Sequence, residues 1–259
     1  MRAAPLIVTG LLLVLAACGG AAPPPPPAAP TPQAREARAA PPTSPAPVVV
    51  LDPGHNGGNA AASDEIAREV PDGRGGTKPC NTTGTDTAGG YAEHAFAWDV
   101  AARVTRLLEA HGVAVRSTRP DDTGVGPCVD RRAEIANDAR AALTVSIHAD
   151  SGPRGGRGFH VALSDPALSA SQGPPSAALG RALVAGLQAQ GFETSTYRGE
   201  DGLDRRPDLA GLSLARVPAA LVECANMADP ADAARTEDPA GRQRYAEGLA
   251  AGILQVLNR

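Results

Sequence analysis

Val48-Val49-Val50-Leu51 is a continuous apolar run, mostly β-branched, that stops at Asp52-Pro53-Gly54. Such a run reads as a strand buried on both faces, which belongs to a parallel sheet rather than a half-exposed antiparallel one. Parallel neighbours need crossover connections, and the rest of the chain supplies them. Over residues 92–110, Phe96, Val100, Val104, Leu107 and Leu108 recur on one helical face, with Gly112 as the stop. Strands are then expected at 113–118, 143–147, 158–163 and 219–223, and helices at 129–139 and 176–190. A last helix has Asp238 as N-cap, Pro239 at its first position and a stripe of Tyr245, Leu249, Ile253, Val256 and Leu257. The expected fold is α/β, a single-domain three-layer sandwich with a mainly parallel central sheet flanked by helices. Residues 56–90, rich in Gly, Thr and Asp, read as one long irregular excursion, and a loop of that length inside a compact domain is functional or pinned.

Several of these elements end in residues that carry chemistry. His55 follows the first strand, His148 follows Ser146-Ile147, Glu223 closes Leu221-Val222, and Glu93 opens the first long helix. In an open α/β sheet the strand C-termini and the following helix N-termini share the edge where ligands bind. Two histidines and a carboxylate are a common catalytic zinc set with a fourth position open, and a second carboxylate can move the proton. His94, His111 and His160 read as surface or core histidines. Glu93 by itself is explained equally well as an acidic residue complementing a helix dipole, and Glu65 and Glu69 are rival ligands. Glu223 at the end of an apolar strand has no structural explanation.

Other chemistries are excluded. There is no His-Glu-x-x-His helix and no Gly-x-Ser-x-Gly elbow. Gly73-Arg74-Gly75-Gly76-Thr77-Lys78 has the wrong spacing for a phosphate loop, and no strand is expected before it. The net charge is -4 with no basic patch interleaved with aromatics, so nucleic acid is not a partner. Aromatics at 3% leave no extended sugar-stacking platform, and no internal repeat is present.

The residues before Val48 belong to no fold. Met1-Arg2 and the apolar run 6–17 read as a signal peptide (1–17), too short for a stable membrane span. The run ends in Leu15-Ala16-Ala17-Cys18, which resembles the lipobox of bacterial lipoproteins and makes Cys18 the expected acylation site; an ordinary secretory signal is the alternative. The Pro/Ala-rich stretch 18–47 reads as an extended tether, leaving 48–259 as the catalytic domain. Export permits disulfides. Cys80 and Cys128 lie in loop-like sequence and are the expected pair, while Cys224 reads as a small buried thiol in a strand.

The ordered set Asp52-Pro53-Gly54-His55, Glu93 opening a helix, Ser146-Ile147-His148-Ala149 and Leu221-Val222-Glu223 resembles the zinc-dependent N-acetylmuramoyl-L-alanine amidases. Thr118-Arg119 and Arg132-Ala133-Glu134-Ile135-Ala136-Asn137 are further landmarks, and the likeness runs over about 48–257. Pro-Gly-His-Asn-Gly and the Gly-Arg-Gly-Gly-Thr-Lys loop ending in a cysteine are shared with the single-domain actinobacterial enzymes. The resemblance implies one zinc ion held by His55, Glu93 and His148, with Glu223 as the catalytic carboxylate. The implied reaction is hydrolysis of the amide joining the lactyl group of N-acetylmuramic acid to L-alanine in peptidoglycan. Asp150 stands where many relatives have Asn, and Asn56 where many have Gly. The expected protein is a monomer, exported and lipid-anchored at the outer face of the cytoplasmic membrane. Two other readings fit the composition: a zinc peptidase cutting within the stem peptide, and a non-catalytic peptidoglycan-binding lipoprotein. No residue is assigned to substrate binding.

Overall fold

The computed structural model describes residues 46–259. Its first half runs β1 (Val48–Pro53), a short helix α1 (Ser63–Ile66), β2 (Glu69–Pro71), β3 (Thr77–Pro79), α2 (Glu93–Ala110), β4 (Ala114–Ser117) and α3 (Val129–Asp138). Its second half runs β5 (Leu143–Asp150), β6 (His160–Ser164), α4 (Pro174–Ala189), β7 (Leu203–Arg206), α5 (Ala210–Ser213), β8 (Ala219–Asn226), α6 (Pro230–Glu237) and α7 (Pro239–Leu257). Six strands form one sheet in the order β4-β1-β5-β8-β6-β7. β4, β1, β5 and β8 are mutually parallel, whereas β6 runs antiparallel to β8 and carries β7 parallel to itself. The reversal follows from the connection: no helix stands between β5 and β6, so β6 runs back against β5 and hence against β8, which lies between them parallel to β5.

The sheet has two unlike faces. Val49, Leu51, Val145, Ile147, Ala149, Val161, Leu163 and Val222 point into the main core. There they meet Phe96, Val100, Val104 and Leu108 of α2, Leu179, Leu183 and Leu187 of α4, and Tyr245, Leu249 and Ile253 of α7. The opposite face is covered by α3 and α5, with two small apolar clusters around Val50 and Ala162. Between them Asp52, Thr144, Ser146, His148 and Glu223 line an open cleft. β5 is therefore not uniformly apolar: Leu143, Val145, Ile147 and Ala149 face the core, while Thr144, Ser146, His148 and Asp150 alternate toward the cleft. This period-two polar row extends the strand expected at 143–147 and sets its cleft-facing side.

The 56–90 excursion is more ordered than expected. It contains α1 and the β2–β3 hairpin, whose three-residue strands are too short for an alternation to register. The Gly73–Lys78 segment is the turn and second strand of that hairpin, so a strand does precede it. Asp72 closes the turn by accepting the Arg74 and Gly76 amides at 2.7 and 3.0 Å. The hairpin leads to Cys80, whose sulfur lies at bonding distance from that of Cys128 at the start of α3, with the Cα atoms 4.3 Å apart. Cys224 is buried in β8 as a free thiol. α6 is also additional to the expected elements. Asp229 caps it by accepting the Ala231 and Asp232 amides, with Pro230 next, the same Asp-Pro start that opens α7. The expected signal peptide, Cys18 and the tether lie outside the described residues except for Ala46 and Pro47.

Candidate active site

The site forms where β1 and β5 end. Past Pro53 the chain turns sharply, and His55 adopts φ 55, the left-handed region that a non-glycine residue seldom occupies. Two buried guanidiniums hold that turn. Arg132 donates to Asp52 Oδ1 at 2.6 Å and to the carbonyls of Pro53 and His55 at 2.7 Å each. Arg119 donates to Pro53 O at 3.0 Å, to His94 O at 2.9 Å and to Asp122 at 2.7 Å. Arginine suits this task because its planar fork addresses several carbonyls while staying charged. Asp52 also accepts from Thr118 at 2.6 Å and Ser146 at 2.7 Å. Burial pushes its carboxyl upward, but the Arg132 charge and these hydrogen bonds bring it down to about 2. The two arginines, landmarks only in the sequence, are thus the scaffold of the His55 turn.

Gly54 lets His148 approach: a Cβ there would lie 2.6 Å from the His148 Nε2. Glu93 opens α2 and is buried, so it is not a solvent-facing helix-terminal charge. Its Oε1 lies 2.8 Å from His148 Nδ1 and 3.1 Å from His55 Nε2, and also accepts the Ala149 amide at 3.2 Å. Oε2 accepts the Thr85 amide at 3.1 Å. Burial opposes ionisation of Glu93, yet the hydrogen bonds from His148 and His55 hold its carboxyl well below the usual range.

Among the described residues, His55, Glu93 and His148 are the one group of such side chains whose ligand atoms come together, all within 4.8 Å of one another. The donor chemistry fits a divalent transition metal: two imidazole nitrogens and one carboxylate oxygen. His55 Nδ1 donates to the Thr82 carbonyl at 3.0 Å, so a metal that displaced the Nε2 proton now facing Glu93 would find the Nε2 lone pair aimed at it. The rival carboxylates Glu65 and Glu69 are elsewhere, and so is Asp150, the departure from the family pattern near His148. Glu65 and Glu69 are exposed, and Asp150 accepts the Tyr197 hydroxyl at 3.1 Å rather than joining the group.

Glu223 stands beside His148, paired with it across β5 and β8. It lines the cleft, but its Oε2 is enclosed without a hydrogen-bond partner. Burial, with the negative charges of Glu93 and Asp150, pushes its carboxyl well above the ordinary value. The remaining histidines divide as follows. His94 is bound to Asp122 at 2.9 Å, His111 is exposed with its ring against Leu107 O, and His160 is buried on β6 opposite Glu223. Asn56 is structural, donating to Gly126 O at 3.0 Å. The cleft, of about 400 Å³, is also lined by Lys78, Thr82 and Thr85 and by Leu209 to Leu212.

Residues 49–255 match the family described as N-acetylmuramoyl-L-alanine amidase (Amidase_3). The N-acetylmuramoyl-L-alanine amidase Rv3717 of Mycobacterium tuberculosis is 49% identical over 227 residues, 88% of this chain and 93% of that protein. The crystal structure of the amidase Ami1 from Mycobacterium smegmatis superposes with a TM-score of 0.80 at 48% identity, covering 83% of this chain and 98% of that one. The amidase AmiC2 of Nostoc punctiforme is more distant, with a TM-score of 0.62 at 26% identity over 82% of this chain and 97% of its own. The match spans nearly the whole described chain, including every residue of the site, and on that ground the chain belongs to the N-acetylmuramoyl-L-alanine amidase family.

Proposed function

We propose that the chain is a zinc-dependent enzyme that hydrolyses the amide between the lactyl group of N-acetylmuramic acid and L-alanine in peptidoglycan. The observation that carries this reading is the convergence of His55, Glu93 and His148 beside Glu223 in an open cleft. Family membership supports the bond cut, and the names of the mycobacterial relatives agree with it. His55 Nε2, His148 Nδ1 and a Glu93 oxygen would hold the metal. When bound, zinc in such a set polarises a carbonyl and lowers the pKa of water.

Glu223 is the general base in this reading. Its carboxylate takes a proton from the attacking water as the water oxygen adds to the amide carbon. As the carbon–nitrogen bond breaks, Glu223 delivers that proton to the departing amine of L-alanine. Burial first, and then the charges of Glu93 and Asp150, raise the Glu223 carboxyl, and a cation held by His55, Glu93 and His148 would offset the Glu93 contribution. Residues 1–17 act as the export signal, Cys18 carries the lipid, the following stretch to residue 47 is the tether, and Cys80–Cys128 is a disulfide. Mass spectrometry of the native protein tests the anchor: a diacyl or triacyl adduct is expected on Cys18, and a mature N-terminus downstream of it refutes the assignment.

The reaction is tested by measuring zinc content and turnover together. Glu223→Gln should keep zinc and lose about 10²- to 10⁴-fold in rate. His55→Ala, His148→Ala and Glu93→Ala should each lose zinc as well as activity. A zinc-replete, active Glu93→Ala protein would remove Glu93 from the ligand set. Fragment analysis of digested peptidoglycan identifies the bond: an intact stem peptide with a free N-terminal alanine is expected, and cleavage inside the peptide would refute the amidase reading.

A further inference from the structure

Among the described residues, two buried side-chain atoms have no hydrogen-bond partner, His160 Nδ1 and Glu223 Oε2. They belong to one cross-strand pair. His160 on β6 lies directly opposite Glu223 on β8 in antiparallel register, so both side chains leave the same face of the sheet with Cβ atoms about 5 Å apart. On its other flank Glu223 is paired with His148 of β5. His160 is 1% exposed, and the Tyr197 ring stands edge-on against it at 6.0 Å between centroids. Tyr197 is itself held in place by its hydroxyl bond to Asp150.

The chemistry of the two groups is complementary. Burial lowers His160 to about 4, although Asp150 and Asp204 pull the other way, so near pH 7 the ring is neutral with one N–H and one lone pair. An enclosed carboxylate oxygen and an enclosed imidazole nitrogen each lose hydration without compensation if left alone, and one water shared across the pair can satisfy both needs. Resting on the reading of Glu223 as the base, we propose that His160 is a positioning residue for Glu223. Its Nδ1–H donates through one bridging water to the enclosed Oε2, and leaves the other carboxylate oxygen to exchange a proton in the cleft. The base is then oriented by a third group, as nucleophile–base pairs are in other hydrolases. His160 is not a catalytic residue in this scheme, since it touches neither substrate nor metal.

The test uses the zinc-loaded full chain, with kcat, KM and zinc content measured on muropeptide substrate. His160→Phe should lower kcat about 10- to 100-fold, the range typical of outer partners that orient site residues, with KM within about twofold and zinc retained. His160→Asn, whose amide can still donate, should recover most of that loss. In a Glu223→Gln background His160→Phe should cost nothing further, because the two groups act as a unit. Wild-type kcat in His160→Phe, no recovery by His160→Asn, or an additive loss in the double variant would each overturn the inference. A fully active Glu223→Gln protein would instead overturn the reading of Glu223 as base, and this inference with it. If His160→Phe does not fold, imidazole ¹⁵N spectra of the unmutated protein decide: a ring protonated on Nδ1 supports the bond, and one protonated on Nε2 overturns it.

Discussion

Asp52 ties the stability of the fold to the geometry of the site, and Asp52→Asn separates the two with a measurable pH signature. The carboxylate takes Thr118 and Arg132 on Oδ1, each at 2.6 Å, and Ser146 on Oδ2 at 2.7 Å. Its pKa falls from 3.8 to about 2, and at about 1.4 kcal/mol per unit the ionised form contributes about 2 kcal/mol to folding. Because the folded value is the lower one, that contribution is complete above about pH 4 and is lost as the pH falls toward about 2. Asparagine cannot ionise, and it leaves the Arg132 guanidinium without its counter-charge. Breaking a buried pair on one side typically costs about 3–5 kcal/mol. Here Arg132 keeps the carbonyls of Pro53, His55 and Pro127, so a loss of about 2–4 kcal/mol at pH 7 is expected. Urea unfolding of both proteins at pH 7, 5, 4 and about 3 measures it. The gap should stay constant down to about pH 4 and narrow below it. A gap under about 1 kcal/mol, or one that does not change with pH, would refute the assignment of Asp52 as the ionised anchor of Arg132.

Other perturbations test the packing of the site and the pin on its loop. Gly54→Ala puts a methyl group where the His148 ring stands, so zinc content and turnover should both collapse; full zinc loading with normal turnover would mean that the ring is not seated against the turn. Replacing Cys80 and Cys128 together by serine should lower stability by about 4 kcal/mol in the chain-entropy model for a separation of 48 residues, while non-reducing peptide mapping of the unmutated protein should recover the 80–128 cross-link; a cross-link from either residue to Cys224 would show the wrong pairing. Arg132→Lys keeps the charge but loses the planar fork that reaches the His55 carbonyl, so zinc affinity should fall about 10- to 100-fold, read by competition with a chelator.

Much of this protein is legible without coordinates because the information is local. A helical stripe such as Phe96, Val100, Val104 and Leu108 is a 3.6-residue period, and Asp238-Pro239 is a cap, so both are set by residues within a turn or two. Placement of His55, His148 and Glu223 at strand ends also follows from the order of elements, since parallel strands deliver their C-termini to one edge. Short elements escaped for the same physical reason: β2, β3 and α6 are below the length at which a period can be counted, although Asp229-Pro230 repeats the start signal of α7. The resemblance points to Glu93 as the carboxylate that completes the histidine pair, but composition and spacing alone leave it open, and the tertiary structure supplies the physical reason. Glu65 and Glu69 are rivals by composition, but Glu93 alone is carried by α2 into the gap between two imidazoles, 55 residues distant from one of them. The burial of Arg119 and Arg132 against the backbone of the His55 turn was decided in the same way, as was the pairing of His160 with Glu223 after β6 reversed direction. Strand register and helix approach are collective properties of the packed core, in which no single stretch of sequence carries the coordinates of its partner.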